Sequence, residues 1–160
     1  MAKPKEIEDR KVRIIMKNRR ARHDYHVHWS LECGIQLQGT EVKSLRDGKC
    51  SVQDAYAYFP NRNNDELFLI NFHINPYEQG SYSNHDPKRS RKLLVNRREQ
   101  VKLRNAIQEK GYTLIPLTIY FSGAFVKIEL GVCSAKKNYD KREDTKKKET
   151  EREIRRKYKV

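Results

Sequence analysis

Apolar and polar side chains alternate without a break from Tyr25 to Leu37. Tyr25, Val27, Trp29, Leu31, Cys33, Ile35 and Leu37 are set against His26, His28, Ser30, Glu32, Gly34 and Gln36. A period of two over this length predicts one or two half-buried strands, with Gly34 as a bend or bulge. Val52 to Phe59 and Leu67 to Ile74 read as strands, the second with Phe68, Ile70, Phe72 and Ile74 on one face. Thr113 to Phe121 and Phe125 to Cys133 read as a hairpin turning at Ser122-Gly123. Ile115, Leu117, Ile119 and Phe121 alternate on its first strand, and Val126, Ile128, Leu130 and Val132 on its second.

Two short helices interrupt the strands. Glu41 to Arg46 follows Thr40 as N-cap and stops before Gly48, with Glu41 suited to the positive helix end. A second helix starts near Arg97 behind the capping pair Asn96 and Glu99, buries Val101, Leu103 and Ile107, and ends at Gly111. The polar loop from Pro76 to Arg91 is long for a small domain, which marks it as functional or disordered. Five or six strands with two helices predict a mainly β domain. An OB-type closed barrel with flanking short helices suits it, because closure removes strand edges. An α+β open sheet also fits the pattern.

Charge changes the picture most at the C-terminal end. Residues 134–160 hold twelve Lys/Arg against six Asp/Glu, and their apolar side chains are only Ala135, Tyr139, Ile154, Tyr158 and Val160. So few anchors do not offset roughly 1–2 kcal/mol of backbone ordering per residue, which predicts a basic tail that is disordered when free. Acid-first pairs four apart, such as Glu143 with Lys147 and Glu151 with Arg155, bias it toward helix. The tail's +6 leaves +8 on residues 1–133 out of a whole-chain +14. Both parts thus carry the footprint of a polyanion binder. The expected organisation is a flexible segment 1–13, a barrel 14–133 and a tail 134–160.

Other chemistry finds little support. No apolar run reaches 18 residues, and Val12, Ile14, Ile15 and Met16 are too short for a signal-peptide core. Cys33, Cys50 and Cys133 lack CxxC spacing and read as reduced thiols of a cytosolic protein. His26 and His28 would share a strand face, but no third and fourth metal ligand lie at ligand spacing. His85-Asp86 lacks a nucleophile in a catalytic context, and neither phosphate-loop motif is present. No metal, no cofactor and no catalysis are expected. Basic clusters do recur: Lys17 to His23, Lys88 to Lys92 with Arg97-Arg98, and Lys136 to Arg142. Their cations neutralise phosphates while Tyr and His planes stack on bases, which points to RNA.

Five blocks occur in order: Asn18-Arg19-Arg20-Ala21-Arg22-His23-Asp24-Tyr25, Gly39-Thr40-Glu41-Val42-Lys43-Ser44-Leu45-Arg46, Asn84-His85-Asp86-Pro87, Arg91-Lys92-Leu93-Leu94 and Tyr139-Asp140-Lys141-Arg142. Together they resemble the family of small protein B, the bacterial tmRNA-binding (SsrA-binding) protein. The resemblance implies an OB-fold, a cytoplasmic monomer without enzymatic activity, and the tRNA-like domain of tmRNA as partner. It also implies delivery to stalled ribosomes, where the tail enters the decoding centre and the empty mRNA channel and becomes helical. It associates tmRNA contact with Asn18, His23, Glu32, Leu94 and Asn96, joined by the cations Arg19, Arg20, Arg22, Lys88, Arg89, Arg91 and Lys92. Lys136, Lys137, Tyr139, Asp140, Lys141 and Arg142 would meet small-subunit rRNA, and Ile154 would anchor the induced helix. Ser134-Ala135 stands where the family usually has Gly-Lys, so the joint would be stiffer and one cation poorer. The competing readings are a general OB-fold RNA-binding or ribosome-associated protein without tmRNA preference, and an RNA-processing enzyme.

Overall fold

The computed structural model describes residues 11–80, 82 and 84–158. Nine strands and four helices follow one another among them. β1 (Val12–Lys17), α1 (Arg19–Asp24) and β2 (Tyr25–Ile35) open the chain, followed by α2 (Gly39–Arg46), β3 (Cys50–Ser51) and β4 (Tyr56–Tyr58). β5 (Leu67–Ile70), β6 (His73–Ile74), β7 (Arg91–Leu94) and α3 (Arg97–Lys110) come next. β8 (Thr113–Ser122), β9 (Phe125–Ala135) and α4 (Asn138–Lys157) complete it. The larger sheet runs β1-β8-β4-β5-β7-β2-β9, and β9 also pairs with β8. Hydrogen-bonded pairing therefore passes from β8 through β4, β5, β7, β2 and β9 back to β8, all antiparallel, with β1 outside on β8. β3 and β6 form a separate two-stranded ribbon.

The long hairpin β8–β9 and the β2–β9 ladder follow the alternation seen in the sequence. Val126, Ile128, Leu130 and Val132 are all buried. On β8 the phase changes midway, at an irregularity between Pro116 and Thr118. Ile119 and Phe121 enter the main core, whereas Ile115 and Leu117 turn to a second, smaller cluster with Ala21 and Cys133. Gly131 sits beneath that cluster because nothing larger fits: a Cβ there would lie 2.7 Å from Leu117 Cδ1.

Between Leu67 and Ile74 the expected face is half wrong. Leu67, Leu69, Phe72 and Ile74 are buried, while Phe68 and Ile70 are only half-buried. Asn71 takes φ 56°, which breaks the strand and moves the apolar phase by one residue. Val52 to Phe59 is likewise a strand only at Tyr56–Tyr58, with the separate short strand Cys50–Ser51 just before it. The cap of α2 is Gln38 rather than Thr40, closed by a capping box in which the Gln38 N–H donates to Glu41 Oε2 at 2.7 Å. In α3 Leu103 is buried, but Val101 faces outward at 44% exposure. Asn96 caps this helix through its backbone only, and Gly111 ends it.

Glu41 is fully buried, which explains the long loop after β6. Its carboxylate accepts from Arg91 Nε at 2.7 Å and from the Arg89 NH2 group at 2.8 Å. Arg91 is also fully buried and donates to the carbonyl oxygens of Phe72 at 2.5 Å, Arg89 at 3.0 Å and Pro87 at 3.3 Å. His85 donates from Nε2 to the Ile74 carbonyl at 3.0 Å, leaving Nδ1 to accept from Thr40 Oγ1 at 2.9 Å. Asn84 brackets Tyr77, accepting its N–H and donating to its carbonyl. The loop crosses α2 at Gly80, where a Cβ would meet Tyr77 O at 3.1 Å and Thr40 Cγ2 at 3.3 Å.

Burial would push the Glu41 carboxyl up, but the hydrogen bonds from Arg89 and Gln38 and the charge of Arg91 hold it below the ordinary range. A carboxyl depressed on folding adds stability above its unfolded pKa of about 4.3, and that stability disappears as pH falls through the folded value. Glu41→Gln should cost about 3–5 kcal/mol at neutral pH, because it leaves Arg91 buried and unpaired. Denaturant melts at pH 7 and pH 3 should show a smaller gap between variant and native protein at the lower pH.

Candidate nucleic-acid interface

α1 hides inside the first basic cluster. Asn18 caps it by accepting from the Ala21 N–H at 3.1 Å, and its amide donates to the carbonyls of Pro116 at 3.0 Å and Val52 at 3.2 Å. Ala21 packs on Ile115, Leu117 and Cys133. The same turn thereby throws Arg19, Arg20, Arg22 and His23 outward. His23 Nδ1 lies 3.0 Å from Asp24 Oδ1.

Beside α1, register builds one outward face across four strands. Tyr120 on β8 pairs with Lys127 on β9, Lys127 with Gly34 on β2, and Gly34 with Leu94 on β7. Paired residues point to the same side, so this row is Tyr120, Lys127, a gap at Gly34, and Leu94. The next row is Thr118, Glu129 and Glu32. The Tyr120 hydroxyl donates to Glu32 Oε2, and Lys127 Nζ stands 4.0 Å from Glu32 Oε1. Ser30 Oγ donates to Glu129 Oε1 at 3.1 Å, and Arg22 reaches Glu129 Oε2 at 4.0 Å, tying α1 to the face. Burial and then the Glu32 contact raise the Tyr120 hydroxyl pKa, so it remains a donor. Leu94 is 53% exposed beside the gap. Lys92 shares its side of β7, paired at 3.0 Å with Glu66, and Asn96 follows with its side chain free of capping duty.

This surface combines cations, a carboxylate held ready to accept, and an exposed apolar side chain. In such a surface cations can neutralise phosphate oxygens, a carboxylate can accept from a base or sugar edge, and an apolar side chain can contact an unstacked base. Of the residues singled out in the sequence, Arg22, Glu32, Lys92 and Leu94 lie on this side of the sheet, and Asn96 follows two residues after Leu94. Tyr120, Lys127 and Glu129 were missed, although their polar positions in the β8–β9 alternation marked them as outward-facing.

Two expected contact residues are in the wrong place to touch a ligand. Arg91 is buried at 0% exposure with Glu41, and Asn18 at 3% has its side chain occupied by backbone partners. Both are corrected to internal supports. A basic run does not reveal which of its cations turns inward, and the partner of Arg91 lies 50 residues away. Arg89 is clasped to Glu41, while Lys88 is exposed beside it.

In the C-terminal part, β9 continues through Ser134 and Ala135, paired with His26 and Tyr25. Ser134 Oγ lies 2.8 Å from His28 Nε2, and only Lys136 and Lys137 separate strand from helix. α4 buries no side chain; Tyr139 is 59% and Ile154 50% exposed. Lys137 Nζ lies 6.0 Å over the Tyr139 ring, and Arg142 is exposed. His26 and His28 diverge at an irregularity between Val27 and Trp29, His28 stacking on Tyr112 with centroids 4.4 Å apart. Among the described residues, no group of three or more His, Cys, Asp or Glu side chains is placed to hold a metal ion. None of their helices is long and apolar enough to cross a membrane.

A family model described as SmpB protein matches residues 15–160. The chain is 53% identical over 147 residues to the SsrA-binding protein of Acetivibrio thermocellus, covering 92% of this chain and 94% of that one. It is 51% identical over 144 residues to the SsrA-binding protein of Geobacillus thermodenitrificans, covering 90% and 91%. A chain from a solved structure described as "tmRNA-SmpB: a journey to the center of the bacterial ribosome" superposes at TM-score 0.64 and 48% identity, over 77% of this chain and 85% of that one.

Face and interior should separate in mutagenesis. Lys127→Ala should leave thermal stability nearly unchanged, weaken RNA binding and lower the slope of log K against log salt by about one. Arg91→Ala should instead destabilise by about 3–5 kcal/mol, because it empties a fully buried position, removes one of the two guanidinium partners of Glu41 and leaves the Phe72 carbonyl without this donor. Thermal melts and a salt titration of RNA binding check both.

Proposed function

The chain belongs to the SmpB protein family, and on that premise we propose that it binds the tRNA-like domain of tmRNA and delivers it to stalled ribosomes for trans-translation. The observation that carries this is the four-strand face beside α1, where Arg22, Lys127, Glu32 and Leu94 meet. We read the closed pairing circuit as an OB-type barrel. His23 and the outward cations of α1 bind phosphate or stack on a base. Glu32, oriented by Tyr120, accepts from a base or ribose edge, a role that repels misplaced phosphate. Asn96 donates or accepts at the rim, and Lys88 and Lys92 add charge. Asn18, Arg89 and Arg91 act from behind by fixing α1, the loop and β7.

The tail has a separate task. A 20-residue helix with no buried side chain supports a segment that is disordered in the free protein and helical within the anionic mRNA channel. Lys136, Lys137, Asp140, Lys141 and Arg142 meet decoding-site rRNA there, Tyr139 stacks on a base, and Ile154 anchors the distal turn. Messenger RNA and tail compete for one groove, which restricts the protein to ribosomes whose channel is empty. No covalent bond is made or broken, and the site of action is the cytoplasm.

Strand β9 moves the boundary for a clean test. Removing residues 134–160 would take two paired residues out of β9, so the informative truncation ends at Lys137. That variant should keep its affinity for a tRNA-like tmRNA fragment and lose peptide tagging in a reconstituted non-stop translation assay. Glu32→Ala should do the converse, weakening the RNA complex by about 1–3 kcal/mol. Loss of fragment affinity on truncation contradicts the division of labour.

A further inference from the structure

Strands β4 and β8 are joined at a single pair among the described residues, Ala57 with Leu114. Beyond that pair the chain turns away through Asn61 to Asp65, and a cleft of about 260 Å³ opens between this turn and α3. Tyr58 and Phe59 line it from one side, Ile107 and Gln108 from the helix, and Tyr112 and Leu114 from β8 and its approach. Arg104 joins Ile107 and Gln108 on one helix face, as their spacing of three and four requires. Its guanidinium lies 4.8 Å from the Phe59 ring centroid and donates to the carbonyls of Arg62 and Asn64 at 2.5 Å and of Asn61 at 3.2 Å. Arg104 Nε also stands 3.1 Å from Asp65 Oδ1, which engages the carboxylate of the turn. His28 stacks on Tyr112 with ring centroids 4.4 Å apart, so both walls are braced before any ligand arrives. The Arg62 side chain is exposed at the lip, and Lys110 Nζ lies 5.8 Å from the Tyr112 ring centroid.

From this cleft we infer a binding site for one unpaired nucleotide of a single-stranded RNA. Its volume falls below the roughly 300–1,000 Å³ of sites for drug-sized ligands, which leaves room for one planar ring system. Tyr58 and Tyr112 offer aromatic planes, and stacking on them tolerates any base because every base has a π-face. The amide side chains of Asn61 and Gln108, both exposed at the mouth, each donate and accept, which suits the edge of a base. Arg62, Arg104 and Lys110 against Asp65 leave the rim with an excess of positive charge, which favours a phosphate-bearing ligand over an apolar peptide. Strand β4 lies three strands from β2 in either direction round the pairing circuit. A folded RNA held on the Glu32 face therefore leaves the cleft open to a separate strand. The inference stands on the cleft alone and does not need the function proposed above.

The test titrates the full chain with hexa-uridylate, and separately with an abasic hexamer of the same length, following 15N chemical shifts at fixed salt. Amides of Tyr58, Arg62, Gln108 and Tyr112 should shift saturably with hexa-uridylate and stay in place with the abasic strand. Tyr58→Ala/Arg62→Glu should weaken binding at the cleft by about tenfold. Gln108→Ala, a change that favours the helix, should weaken it by about threefold and covers the case in which the double variant fails to fold. Lys127→Ala should leave the cleft shifts as they are. Cleft amides that do not move, or that move equally with the abasic strand, overturn the inference. So does an acidic peptide with a single Trp that binds the cleft more tightly than hexa-uridylate, since that assigns it to a protein partner. Loss of tmRNA preference with the cleft shifts intact defeats the proposed function instead and leaves this site standing.

Discussion

A buried carboxylate between two guanidinium groups holds the working parts of this molecule in register. Glu41 comes from α2, Arg89 from the end of the long loop and Arg91 from β7. Arg91 continues the connection to the Phe72 carbonyl, beside the point where Asn71 reverses the strand phase. Each charge alone would be costly inside a protein, and together they are tolerable only because nearly every lone pair and proton finds a partner. β7 then delivers Leu94 and Asn96 to the outer face. The internal salt bridge at Arg91 and the outward Lys92 and Leu94 thus share one short strand.

That arrangement explains which features were visible in the sequence. Strands with sustained alternation, β2 and β9, were legible apart from their C-terminal ends, Ile35 rather than Leu37 and Ala135 rather than Cys133, and the polar positions Glu32 and Lys127 could be read as outward-facing. α3 was legible because Asn96 and Gly111 mark both its ends. α1 was not, since six residues dominated by arginine carry no apolar period and read equally well as a loop. The reversal at Asn71 was invisible because apolar residues occupy both phases from Leu67 to Ile74 apart from Asn71 and His73. Arg91 was misplaced for a different reason. Its neighbours in the chain are surface cations, and burial became apparent only through Glu41, far away in sequence.

The face itself is not a simple basic patch. Glu32 and Glu129 sit opposite each other among Lys127, Arg22 and Tyr120, so phosphate is attracted to the margins and repelled from the centre. Such mixed charge trades raw affinity for discrimination, because a ligand must present a donor where the carboxylates point. The tail follows the opposite logic. With α4 exposed beyond its first two turns and rich in cations, it suits a long anionic groove. One chain therefore combines a selective surface with an adaptable one, joined across two residues.

Selectivity of the strand face is the central claim, and competition binding tests it most directly. A tRNA-like fragment of tmRNA would be competed against elongator tRNA at fixed, near-physiological salt. A preference of about tenfold or more for the tmRNA fragment, equivalent to about 1.4 kcal/mol, is the predicted result. Equal binding of the two RNAs, lost steeply as salt is added, would mean that charge alone holds the RNA and would contradict it.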